Sequence, residues 1–110
     1  MPYDHRIADV LRADLADAPN LTEKAMFGGL GMMVNGHMIC AIHGKGGVMF
    51  RVGKVFEPKA LALDGVVQME MRGRPMGGWV DTSDDVIANQ THRAQLVALA
   101  LDFVTTLPPK

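Results

Sequence analysis

The residue types best suited to chemistry in this sequence stand together in Arg72-Gly73-Arg74-Pro75-Met76-Gly77-Gly78-Trp79. Two guanidinium groups two residues apart, held between glycine and proline, would project from a shaped loop. Arginine forks bind phosphate and carboxylate bidentately. The only tryptophan follows directly, and Arg, Met and Trp are residues favoured at binding interfaces. With Arg51, the residues Arg72, Arg74, Met76 and Trp79 form the candidate binding set. The competing reading is a solvated connector between two strands, with Trp79 in the core.

Other chemistries find less support. His37, Cys40 and His43 are close in sequence. On a regular strand Cys40 would face away from both histidines, which would lie about 20 Å apart at a rise of about 3.3 Å per residue. No single metal ion fits that set. Cys40 sits among Met38, Ile39, Ala41 and Ile42, where burial would raise its pKa and leave it inert. Ser83 is the only serine and stands where a helix cap belongs. The glycine-rich runs Gly28-Gly29-Leu30-Gly31 and Gly44-Lys45-Gly46-Gly47 match neither phosphate-binding fingerprint; both lead into strands, where turns or bulges account for them. Asp84 and Asp85 complement a helix dipole, and no paired-acid constellation is visible. No enzyme activity, metal or cofactor is expected.

The elements that would position these residues read as α+β. Ile7, Val10, Leu11 and Leu15 lie on one helical stripe, predicting a helix from about Asp4 to Ala16. Lys24 to Phe27 is short and stops at Gly28-Gly29. Apolar runs then alternate with turn signals. Leu30–Val34 and His37–His43 flank Asn35-Gly36, the strongest short hairpin signal. Val48–Val52 follows the second glycine turn. A short helix is predicted over Val55–Leu63, with Pro58 tolerable only in its first turn. Val67–Met71 and Trp79–Asp81 read as strands joined by the Arg72–Gly78 loop. A long helix, opened by Ser83-Asp84-Asp85 and firm from Thr91, runs to about Thr105. The expected architecture is an antiparallel meander flanked by an N-terminal, a short middle and a long C-terminal helix.

The chain has 110 residues, enough for one domain spanning 1–110 that folds without metal or disulfide. Its formal net charge is -1, which gives no general invitation to nucleic acid or an anionic membrane. One cysteine excludes an internal disulfide, no stretch has the roughly 18–20 apolar residues of a membrane helix, and a cytoplasmic location is expected. Nine methionines suit either irregular core gaps or an adaptable binding surface; core filling is the simpler expectation.

Met26-Phe27-Gly28-Gly29, Asn35-Gly36-His37-Met38, Arg51-Val52-Gly53, Gly73-Arg74-Pro75-Met76 and the closing Leu101 to Pro108 together resemble the N-terminal domain of the TfoX/Sxy competence regulators. The resemblance implies a secretion-chaperone-like α+β fold and brings no catalytic residues with it. Full competence regulators carry a second, C-terminal domain; here the sequence ends at Lys110, so a stand-alone first domain is expected. The leading functional expectation is a non-enzymatic regulatory or protein-interaction module, acting on a protein partner or as a homodimer. Both faces of His37–His43 carry apolar residues, so either helices cover both faces or a partner does. The alternative is a nucleic-acid-associated regulator using Arg72 and Arg74, with Arg51, Lys45 and Lys54 at the same sheet end; its binding would weaken steeply with salt.

Overall fold

The computed structural model describes residues 3–110. Helix α1 (His5–Asp14) begins at Asp4, whose carboxylate accepts the Arg6 backbone N–H at 2.9 Å. Its apolar stripe buries Ala8 and Leu11, with Leu15 just beyond. Strands β1 (Thr22–Met26), β2 (Gly29–Val34), β3 (His37–Ile42) and β4 (Val48–Arg51) form an antiparallel meander. Helix α2 (Gly53–Leu61) crosses to β5 (Val67–Met71), and β6 (Arg74–Thr82) returns. The strand order is β1-β2-β3-β4-β6-β5, so β6 rather than β5 joins the meander and β5 becomes an edge. Short α3 (Asp84–Ala88) and long α4 (Gln90–Val104) complete the α+β fold.

The predicted C-terminal helix is divided. Asn89 adopts an extended conformation (ψ 106°), ending α3, and its side chain accepts the His92 N–H to cap α4. Ser83 precedes α3 without a side-chain capping bond. Helix α2 starts at Gly53, earlier than its apolar pattern suggests, so Pro58 lies in its interior rather than its first turn. Tertiary contacts hold that start: Gly53 (φ 78°) lies against the Phe103 ring of α4.

The core lies between one sheet face and the helices. Leu30, Met32, Val34, Cys40, Ile42, Val48, Phe50 and Val80 meet Leu11, Leu15, Leu96, Ala100 and Val104. Phe50 is 1 % exposed, a burial that contributes about 2–3 kcal/mol. Ion pairs tie the helices down at their rims. Arg12 forks onto Glu23 at 2.6 and 2.8 Å and holds its carboxyl below the usual range. Arg93 reaches Asp14 at 2.6 Å.

The phase of β3 differs from a regular strand. Met33 opposes Met38 while Met32 opposes Cys40, so Ile39 is an extra, bulged residue. His37, opposite Val34, and Cys40, opposite Met32, therefore share the helix-facing side. His43 lies on the other, reversing the predicted grouping.

Candidate functional site

The segment predicted as a loop is a hairpin. Arg72 (φ 54°) and Gly73 (φ 77°) alone make the turn, and β6 starts at Arg74. Arg72 and Arg74 are exposed at its tip, whereas Trp79 is half-buried opposite Arg51 of β4. Along β5, whose Gln68 and Met71 face Val80 and Arg74, the tip stands about 10 Å from the Trp79 end of β6. Arg72 lines one cleft whereas Arg51 and Trp79 line another, so the candidate set is two groups, not one.

Between them β6 bulges. Gln68 opposes Val80 and Glu70 opposes Pro75, leaving Met69 on β5 against Met76 to Trp79 on β6. A bulge frees backbone groups that must find other partners. The Gln68 amide donates to the Met76 carbonyl at 2.8 Å and the Trp79 carbonyl at 3.0 Å. The Gly78 N–H donates to Glu57 at 3.0 Å, and its carbonyl accepts from Val52. A side chain at Gly77 would meet Lys54 at 2.7 Å, and Gly78 (φ 86°) presses on Gly53. Gly78 is thereby accounted for by its positive φ and close packing on backbone, whereas at Gly77 only the flexible end of Lys54 stands in the way.

Arg51, Lys54, Gly77, Gly78, Trp79 and Phe103 line a groove of about 460 Å³. The Arg51 guanidinium stacks 5.5 Å from the Phe103 ring centre. The Glu57 carboxylate already occupies the Gly78 N–H there, which opposes an incoming anion.

A second cleft, of about 470 Å³, lies on the sheet face away from the helices. Met26 and Phe27 line it from the β1 end, Ala41 and Met49 from the centre, and Met69, Met71 and Arg72 from the opposite edge. In a flat sheet, edges separated by five spacings of about 4.8 Å would stand about 24 Å apart. Residues from both edges line one cleft, so the sheet is strongly curved and this face is concave.

No helix covers it. Met26, Met33, Met38 and Met49 lie there half-buried, with Met26 and Met38 converging over Gly31. Of the methionines among the described residues, only Met32 is fully buried; core filling is not their role. At the lip, Phe27 has a left-handed backbone (φ 49°) and is fully exposed at 102 %. Val67 and Met71 are exposed at 57 % and 51 % on the β5 edge. The sequence signalled such a face in the apolar residues on both sides of His37–His43 and in the methionine count, but of its lining residues only Arg72 was among the candidates.

Cys40 is buried, and His37 and His43 are hydrogen-bonded. Burial pushes the Cys40 thiol up to about 12. His37 Nε2 hydrogen-bonds with the Pro108 carbonyl at 2.6 Å. His43 pairs with Asp81 at 2.8 Å, a bond that raises its pKa. Among the described residues, no three His, Cys, Asp or Glu side chains are grouped to hold a metal ion. No helix there is long and apolar enough to cross a membrane.

The family model of the TfoX N-terminal domain matches residues 13–104, from the last turn of α1 to the end of α4. The chain belongs to the TfoX N-terminal domain family. That match takes in every strand and both clefts, so the curved sheet and its bare face lie within the family's domain. No curated protein matches the chain.

Proposed function

We propose that this TfoX N-terminal-type domain is a non-enzymatic regulatory module that acts by binding a protein partner on its open sheet face. One observation carries the reading: an aromatic ring, Phe27, is held fully exposed on a strained backbone at the lip of a methionine-lined concave face. An exposed apolar patch of this kind marks interaction sites, and methionine adapts its shape to a partner. The buried thiol and the engaged histidines support the absence of catalysis.

The test is site-specific photocrosslinking from position 27 in native cell extract, with exposed Asp9 on α1 as the control position. Adducts from position 27 but not from position 9 support the reading, whether the partner is another protein or a second copy. Equal adducts from both positions, or none from 27, refute it.

A second reading rests on a different feature. Arg72 and Arg74 sit exposed at a hairpin tip with no ion-pair partner among the described residues, a placement suited to nucleic-acid phosphates. Anisotropy of labelled duplex and single-stranded DNA at low and near-physiological salt tests it against the Arg72→Ala/Arg74→Ala variant. Salt-sensitive binding lost in the variant supports it, and no binding at low salt removes it.

A further inference from the structure

The net charge of -1 conceals an uneven distribution. Lys24 opposes Gly31 in the β1–β2 ladder and so shares the open face with the methionines. Arg72 lines the cleft, and Arg74 opposes the cleft residue Met71. None of these three cations makes an ion pair among the described residues. The acid on that face, Asp81 beside Met49, is already paired with His43. The other carboxylates lie mostly on or beside the helices: Asp4, Asp9, Asp14 and Asp17 at α1, Glu23 under Arg12, Glu57 and Asp64 at α2, Asp84 and Asp85 on α3, and Asp102 on α4; Glu70 of β5 alternates with the cleft residues Met69 and Met71 and so points off that face. The open face is thus an apolar, thioether-lined floor with a basic rim.

From this we infer that the occupant of the cleft is an acidic polypeptide segment, with large apolar side chains as anchors and Asp or Glu residues flanking them. The inference rests on the docking-face reading above and adds the partner's chemistry. Apolar anchors enter the methionine cleft, where flexible thioethers repack around them. Their flanking carboxylates meet Lys24, Arg72 and Arg74, which set register and exclude basic competitors. A second copy fits less well. Its matching face carries the same cations, so stacking two open faces would oppose like charges.

The experiment titrates the protein into a short fluorescein-labelled peptide in which Glu alternates with Phe and Leu, and into the same peptide with every Glu replaced by Gln. The acidic peptide is expected to bind about tenfold more tightly at low salt, equivalent to about 1.4 kcal/mol. The preference should shrink toward 1 M salt. The Arg72→Asp/Arg74→Glu variant is expected to abolish the preference, read as the ratio of the two peptides' affinities for the same variant; both positions are exposed, and Asp tolerates the left-handed backbone at 72. Circular dichroism checks that the variant is folded. Equal binding of the two peptides overturns the charge assignment and leaves the docking face standing. Failure of both peptides to bind overturns this inference, while photocrosslinking from position 27 separately decides the docking face. Displacement of bound peptide by duplex DNA in preference to excess unlabelled peptide also overturns it, in favour of nucleic acid.

Discussion

Replacing Gln68 by Met should loosen the whole β5–β6 arm. The Gln68 amide is the clip of the β6 bulge, donating at 2.8 Å to Met76 and 3.0 Å to Trp79. Met has nearly the same length and volume but no donor, so packing is kept while both bonds go. A part-buried carbonyl left without its partner costs about 1–3 kcal/mol. Two are affected, and both lie near enough to solvent to recover some hydration, so the expected loss is about 2 kcal/mol. For a chain of this size that lowers Tm by about 8–16 °C. Urea unfolding should show a lower midpoint at unchanged slope, since the surface exposed on unfolding is the same. Hydrogen exchange should quicken first in β5 and the tip of β6. A loss under about 0.5 kcal/mol, or exchange spread evenly over the sheet, would refute the claim that Gln68 holds the bulge.

Other expectations follow from the same geometry. Phe27 holds a positive φ while its side chain touches little, so Phe27→Asn, giving the preferred Asn-Gly turn, should stabilise the fold by about 1 kcal/mol in urea and weaken capture of the acidic peptide. Gly53→Ala places a methyl group against the Phe103 ring at φ 78° and should cost about 2–4 kcal/mol by thermal melting; an unchanged Tm would show that α4 yields there freely. The His43–Asp81 pair gives a pH signature. Its folded pKa is raised above the ordinary 6.5, so its stabilisation is fully present below about pH 6.5 and falls as pH rises through the folded value. The stability gap between wild type and Asp81→Asn should therefore be under about 1 kcal/mol, largest near pH 5.5 and smaller near pH 9; a gap that grows with pH would contradict the pairing.

What the sequence disclosed and what it hid have physical reasons. The α1 stripe, the Asn35-Gly36 hairpin and the three-strand meander β2-β3-β4 were legible because period and turn chemistry agree there, whereas β1 does not read as a strand. The Phe27-Gly28 and Arg72-Gly73 turns use the same positive-φ geometry with residues that do not advertise it. The second of them accordingly reads as a long loop in sequence. Grouping His37 with His43 failed because one bulged residue, Ile39, inverts the strand's alternation, and bulges leave no mark in composition. The Arg72–Trp79 set divides because its residues share a segment of sequence but line different clefts.

The methionines were hidden for a different reason. An apolar residue on a strand says that its face is dry, not what dries it. Which face the helices take is decided by the α2 crossover and the insertion of β6 beside β4, both set by long-range packing. Once the helices lie on one side, the other must protect Gly31 and Ala41, small residues that cannot shield their own backbone. Met26 and Met38 fold over Gly31 to do so. A cover of leucines or valines would fix that surface in one shape, whereas unbranched thioethers re-rotamerise at little cost. The methionines that shield the sheet when it is bare are for that reason the side chains best able to move aside for an apolar anchor. Substituting Met26 and Met38 with leucine should preserve stability and stiffen the face. Peptide binding that weakens without loss of Tm would separate adaptability from mere hydrophobicity, and unchanged binding would show that apolar area alone suffices.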